Sequence, residues 1–315
     1  KIKMKMSFLK MIHLMNIMNT KKLIIILGPT ASGKTELAIK IAKNKKTEII
    51  SCDSRQFFKE MSIGTAIPNQ IQLKEVKHHF IHHISIDEEY NAGLFEYDAL
   101  LTLKEIFKKN DFAVMVGGSG LYINAICNGI DNIPKVPKVI RQNLIDKYNI
   151  NGLEWLQNQV IKVNKNILEK IDKNNSQRLI RYLEVYEFTG QEIQSFYKKN
   201  NIKRDFEIIK IGISYDRENL YERINNRVDL MLKQGLLEEV KNLKHLRHKN
   251  SLQTVGYREI FDFLDNKKSI EKAIEEIKQN TRRLAKRQIT WFRKDKEIIW
   301  LENNSQKINK IISEL

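Results

Sequence analysis

The chain has 315 residues, 42% hydrophobic and 30% charged, with a formal net charge of +17. That balance excludes a fibrous or wholly disordered protein, and no apolar run approaches the roughly 18 residues of a membrane span. The length fits about two domains. Two cysteines, Cys52 and Cys127, exclude a disulfide scaffold, lack the spacing of a zinc site and point to a reducing cytosol.

The basic residues comprise 41 lysines and 14 arginines. Lys1, Lys3, Lys5, Lys10, Lys21 and Lys22, with no acid among the first 22 residues, supply +6 and leave +11 on residues 23–315. The surplus favours an anionic partner, nucleic acid foremost. A chain-wide richness in Lys, Asn and Ile is an equally simple source for it.

Residues 1–20 hold five methionines and little periodicity. They lack the apolar block and small-residue cleavage site of a signal peptide. They read as a disordered extension, or as a mis-called start with initiation at Met18. Residues 23–28 (LIIILG) are a continuous apolar run, as in a buried parallel strand. A glycine-rich turn and a helical pattern to Asn44 follow, then a second strand, EIISC, running up to Asp53. Residues 92–109 predict a helix whose apolar face carries Leu94, Tyr97, Leu101 and Ile106. A third strand, FAVMV, runs into Gly117-Gly118-Ser119-Gly120. This alternation predicts an α/β fold, a parallel sheet with ligands at the carboxyl ends of its strands.

From about Asp131 the texture changes. Pro134 and Pro137 punctuate a boundary, and residues 138–200 are helical and polar. Residues 208–214 (IIKIGIS) return to a buried strand. Helices are expected over 217–234, 235–246, 256–264 and 269–294, with EIIWL (297–301) as a last strand. The expected organisation is a core of residues 21–131 and 207–315, interrupted by a mainly helical insertion domain, 132–206.

Gly28-Pro29-Thr30-Ala31-Ser32-Gly33-Lys34-Thr35 fits G-x-x-x-x-G-K-[ST], set between a strand and a helix. Glycines let backbone N–H groups turn inward around phosphate oxygens, and the helix N-terminus adds a favourable dipole. Lys34 supplies a point charge, and the Thr35 hydroxyl suits Mg²⁺. Such a loop binds a di- or triphosphate without saying which. Asp53, heading Asp53-Ser54-Arg55-Gln56, can take a proton from an acceptor substrate or help hold Mg²⁺. An Asp after a strand is also an ordinary turn residue. The third strand ends in glycines rather than the Asp of many phosphate-loop NTPases. That points away from a motor or GTPase and toward a transferase with a close-fitting acceptor pocket, although an ordinary glycine turn has the same composition.

His78, His79, His82 and His83 form HHxxHH. With no cysteine, and no acid before Asp87, they suit packing better than a closed metal site. In the insertion, Arg178 and Arg181 share a helix face, and Arg141 lies earlier. Arginine forks suit phosphates and base edges, but a solvated helix face would look the same. Arg223 and Arg227 stand one turn apart. Residues 281–294 place Arg283, Arg287 and Lys294 on one stripe and Ala285, Ile289 and Phe292 on another, with Trp291 and Phe292 expected in the core.

GPTASGKT, DSRQ (53–56), GGSGLY (117–122), QRLIR (177–181), VGYRE (255–259) and TRRLAKRQITWFR (281–293), in that order over about residues 22–301, resemble the tRNA dimethylallyltransferase family. The resemblance implies a P-loop NTPase-like core with a tRNA-binding helical insertion. It implies transfer of a dimethylallyl group from dimethylallyl diphosphate to N6 of adenine 37 in tRNA, beside the anticodon. Residues Gly28 to Thr35 (Gly28, Pro29, Thr30, Ala31, Ser32, Gly33, Lys34, Thr35) would hold the diphosphate. Lys34, Thr35 with Mg²⁺, and Arg223 would neutralise charge as the C–O bond breaks. Asp53 would accept the proton from the adenine amine, and Ser119 would line the reaction channel. The target base must leave its stack. Asp53, Ser54, Arg55, Gln56, Ser119, Arg141, Gln177, Arg178, Leu179, Ile180 and Arg181 match tRNA-contacting positions, with the insertion closing over the anticodon stem-loop.

The chain departs from the family at Phe58, where Tyr is usual, and at Ser119, where other members have Thr. No zinc-finger extension follows residue 301. Three other readings carry less of the pattern. An adenylate isopentenyltransferase would need neither the basic insertion nor the late basic helix. A small-molecule kinase would use Asp53 as base. A non-catalytic tRNA-binding protein would have no use for Lys34, Thr35 and Asp53. The implied protein is a cytoplasmic monomer without membrane attachment.

Overall fold

The computed structural model describes residues 21–197 and 202–302. Residues 1–20, expected to be a disordered extension or to precede the true start, lie outside the described residues. In chain order the strands are β1 (Lys22–Leu27), β2 (Ile49–Ser51), β3 (His78–His79), β4 (Phe112–Gly117), β5 (Glu207–Ser214) and β6 (Ile299–Glu302). They pair in parallel in the order β3-β2-β4-β1-β5-β6. β1 is central, with Ile25 opposite Met115 of β4 and Lys210 of β5.

β1 is buried at every position, as a strand covered on both faces requires. Its side chains alternate between two cores. Leu23, Ile25 and Leu27 join Phe57, Phe95, Met115 and Tyr257. Ile24 and Ile26 join Leu37, Ile41, Val114 and Ile211.

The helices are α1 (Lys34–Asn44), α2 (Gln70–Glu75), α3 (Ala92–Lys109), α4 (Gly120–Asn128), α5 (Lys138–Val163), α6 (Ser176–Thr189), α7 (Arg217–Lys233), α8 (Leu236–Asn242), α9 (Tyr257–Leu264) and α10 (Ile270–Phe292). α3 starts where the Asn91 side chain accepts from the Gly93 and Leu94 amides, a standard N-cap. Its expected face needs correction. Leu94, Tyr97 and Leu101 are 45%, 64% and 50% exposed, while Phe95, Ala99, Leu103 and Ile106 are buried. The latter set is spaced by four, four and three residues, the stripe a 3.6-residue turn selects, and Phe95 stacks on Phe57.

The chain divides into two compact units, one up to Asn128 and again from Lys203, the other Gly129–Ile202. The second has its own apolar core, including Leu144, Leu156, Val160, Leu179, Ile180 and Leu183. No described helix is long and apolar enough to cross a membrane.

Candidate active site

A parallel sheet puts all its carboxyl ends on one edge. Here β1 runs into the Gly28–Thr35 loop, β2 into Asp53–Gln56 and β4 into Gly118–Gly120. The topology thereby collects residues that are far apart in sequence.

In the loop, Lys34 Nζ donates to the Pro29 carbonyl at 2.5 Å, and Ser32 Oγ donates to the same oxygen at 2.8 Å. Burial, with the charge of Arg227, pushes the Lys34 ammonium down to about 8, against the pull of Asp53. A phosphate group in the loop would favour the charged lysine. α7 supplies two guanidinium groups one turn apart. Arg223 Nε donates to the Ala31 carbonyl at 2.8 Å, and Arg227 Nη1 to Thr30 Oγ1 at 3.2 Å. The Arg223 guanidinium also lies over the Tyr215 ring, 5.1 Å from its centroid.

Asp53 Oδ1 accepts from the Arg55 amide at 3.0 Å, an Asx turn that fixes the carboxylate while using one oxygen. Ser119 Oγ accepts from the Ser54 amide at 3.1 Å and donates to Ser54 Oγ at 3.2 Å. These bonds join the loop after β2 to the loop after β4. Arg55 Nη1 donates to the Asn250 carbonyl at 3.1 Å. The Gln56 amide donates to the Thr65 and Ala66 carbonyls and accepts from Ser51 Oγ. The Gln56 side chain therefore holds the following loop.

Gln288 of α10 completes this framework. Its Oε1 accepts from the Thr30 amide at 2.9 Å, and its Nε2 donates to the Gly118 carbonyl at 3.0 Å. A Cβ on Gly118 would lie 2.3 Å from Gln288 Nε2, and one on Gly120 would lie 2.3 Å from Trp291 Nε1. Only glycine lets α10 approach so closely.

Thr35 sits in the first turn of α1. No group of three or more His, Cys, Asp or Glu side chains suited to a metal ion gathers among the described residues. A hydroxyl without a protein cage fits Mg²⁺ carried largely on phosphate oxygens, since Mg²⁺ keeps few protein ligands in phosphate sites.

In the second unit, Arg141 Nη1 donates to Glu184 Oε2 at 2.8 Å and its Nη2 to Gln177 Oε1 at 2.7 Å. Arg181 Nη1 donates to Glu184 Oε1 at 2.6 Å. Two of the expected RNA-contacting residues, Arg141 and Arg181, thus converge on one carboxylate, with Gln177 holding Arg141, while Arg178 stands exposed on the helix of Arg181.

The IPP transferase family model matches residues 56–295. The chain belongs to the IPP transferase family. A tRNA dimethylallyltransferase of Christiangramia forsetii is 53% identical over 288 residues, covering 91% of this chain and 95% of its own. That of Flavobacterium psychrophilum is 46% identical over 299 residues, covering 92% and 97%. Among solved structures, the tRNA isopentenylpyrophosphate transferase of Bacillus halodurans matches with a TM-score of 0.68 and 34% identity, over 93% of this chain and 95% of that one. A eukaryotic dimethylallyltransferase acting on tRNA matches with a TM-score of 0.76 and 26% identity, over 91% and 75%. The fold is the P-loop NTPase-like one of these enzymes.

Several expectations change in this IPP transferase. Leu179 and Ile180 are 0% and 1% exposed. Their side chains build the second unit's core, so they are not offered to RNA. Trp291 is 46% exposed and lies over Gly120, whereas Phe292 is buried. Phe58 is 7% exposed, an apolar slot where a tyrosine hydroxyl would need a partner. The histidines serve structure: His79 Nε2 bonds Glu48 at 2.5 Å, and His83 meets Phe57, Phe80 and Tyr90 edge-on. Gln288 lies within the 281–293 motif, but a polar residue between two helical stripes gives no periodic signal of its role, and only the structure sets it on Thr30 and Gly118. Arg227 was visible beside Arg223, but only the structure sets it on Thr30.

Proposed function

We propose that this IPP transferase moves a dimethylallyl group from dimethylallyl diphosphate to N6 of adenine 37 in tRNA, releasing diphosphate. The observation that carries this reading is the meeting of the phosphate loop, the Asp53 carboxylate and Ser119 at one strand edge. The names of the relatives supply the two substrates.

The amides of Gly28–Thr35 and Lys34 cradle the diphosphate, and Arg223 and Arg227 close its rim. As the C–O bond breaks, negative charge gathers on the leaving diphosphate. Donors already aimed at that charge lower the barrier without reorganising. Mg²⁺ at the Thr35 hydroxyl supplies further charge neutralisation when bound. The exocyclic nitrogen of the adenine forms the new N–C bond and passes a proton to Asp53. Ser119, held by Ser54, lines the approach of the base, which must leave its stack to arrive there. Ser54, Arg55 and Gln56 flank the base, with Gln56 acting through the loop it holds. Arg141, Gln177, Arg178 and Arg181 contact the anticodon stem-loop, where single-stranded bases and backbone shape are read together.

The arginine group of the second unit also weighs against a free-nucleotide acceptor, which is too small to need it. Both described cysteines are free and buried, which suits a reducing cytoplasm. We take the protein to act there as a monomer, since one copy carries every residue given a role.

The test is a transfer assay with unmodified tRNA, Mg²⁺ and labelled dimethylallyl diphosphate. Label is expected in tRNA. Label only in AMP, or ATP consumption with no prenyl transfer, would overturn the proposal in favour of the adenylate enzyme or the kinase.

A further inference from the structure

Glu184 is 2% exposed and lies on α6 among the residues of the second unit's core. Each of its carboxylate oxygens is taken by a different arginine, Oε2 by Arg141 and Oε1 by Arg181. The two arginine side chains are 38% and 37% exposed. Each guanidinium therefore has one edge anchored inward, with other N–H donors left toward solvent. Gln177 Oε1 fixes the second nitrogen of Arg141 from the same helix.

Stability alone gives a poor reason for this arrangement. The buried Glu184 carboxylate is costly to desolvate, and an apolar residue of similar volume at such a position is often as stable or more so. What such a group does supply is fixed orientation. A free arginine samples many rotamers, and a guanidinium held at one edge presents its remaining donors in a set plane.

We infer that Glu184 is a positioning residue for RNA recognition: it locks Arg141 and Arg181 as a paired anion-binding fork. The inference rests on the proposed RNA role of those two arginines. The chemistry they would take is a phosphodiester backbone, since two part-exposed guanidinium groups held on one carboxylate suit neighbouring phosphate oxygens.

The sign of one substitution separates positioning from mere charge. Glu184→Gln removes a negative charge and makes the unit more basic, so simple attraction would tighten RNA binding. Positioning requires the opposite. Binding of an unmodified anticodon stem-loop RNA, followed by fluorescence anisotropy, is expected to weaken about tenfold in Glu184→Gln, as for loss of one charge-assisted contact. The KM for tRNA should rise while kcat at saturating tRNA is kept. Glu184→Asp retains the charge but draws it back from both forks, and should weaken binding as well. In a background lacking both Arg141 and Arg181, each replaced by Ala, Glu184→Gln should add little, because Glu184 acts only through those two side chains. Binding equal to or tighter than that of the parent in both Glu184 variants would overturn the inference. If instead Arg141→Ala and Arg181→Ala bind the stem-loop as well as the parent, the RNA reading itself fails.

Discussion

Asp53 carries two duties in the proposed reaction. Its Oδ1 accepts from the Arg55 amide, so Oδ2 is the oxygen proposed to take the proton. Asp53→Asn preserves the turn and removes only the base. Transfer is expected to fall by about 10²–10⁴, the range for a lost general base, with the Kd for tRNA nearly unchanged. Label transfer and anisotropy on one preparation check this, and full activity would show that the proton goes elsewhere. Arg227 is the residue whose importance the tertiary structure raises. Its guanidinium shares the loop with Lys34 and interacts with Asp53. Arg227→Ala should lower kcat by roughly 10–100-fold, somewhat less than an oxyanion-hole donor, because Lys34 and Arg223 remain. Single-turnover kinetics with saturating dimethylallyl diphosphate read that loss directly.

Among the elements, α10 carries more of the site than its amphipathic pattern suggests. It buries Ala285 and Phe292, exposes Arg283 and Arg287, and between those stripes sends Gln288 to both Thr30 and Gly118; Lys294, expected on the same stripe, lies past its end. Two hydrogen bonds tie the phosphate loop to the β4 loop, each worth about 1 kcal/mol net. Gln288→Ala should reduce kcat/KM for dimethylallyl diphosphate by about tenfold with little change in Tm, as steady-state kinetics and thermal unfolding would report. A large fall in Tm with unchanged kinetics would make Gln288 purely structural. α3 teaches the complementary lesson. Its existence was legible from periodicity, but two interleaved apolar stripes were available, and only contact with Phe57 and Tyr122 decides for Phe95.

At the scale of the whole molecule, charge and pH are the levers. Diffuse lysines give general attraction to RNA, so affinity should fall steeply with salt. Each phosphate-contacting arginine removed should reduce the slope of log K against log salt by about one. Stability should respond to acid through His83. Both of its ring nitrogens are buried without partners, and burial pushes its pKa below the ordinary histidine value despite the nearby Asp98 and Glu88. A folded-state pKa below the unfolded one means that the unfolded chain binds more protons as pH drops through about 6.5. Stability conferred by neutral His83 is thus present above that pH and lost below it. His78, also pushed down by burial, adds in the same sense. Tm is expected to fall between pH 7 and pH 5, and His83→Phe should flatten that fall. An equal fall in the variant would assign the acid sensitivity to other groups.

Local chain chemistry was enough to specify the phosphate loop, the strand-end Asp53 and the strand and helix alternation. Each depends on neighbours within a few residues, where spacing in sequence is spacing in space. The two-residue strand β3, the buried face of α3, the exposure of Trp291 and the burial of Leu179 and Ile180 were not determined that way. Nor were the partners of Gln288, Arg227 and Glu184, which come from distant segments. Gln288 meets Thr30 across 258 positions. Such contacts exist only once parallel pairing has stacked the strand ends on one edge, or once a helix pair has closed around its own core. The sequence by itself pointed to a phosphate loop and a basic surplus. Only the tertiary structure decided which partners hold the arginines, Glu184 for Arg141 and Arg181 and the Thr30–Ala31 turn for Arg223 and Arg227, because a fixed partner restricts a long cationic side chain to one orientation.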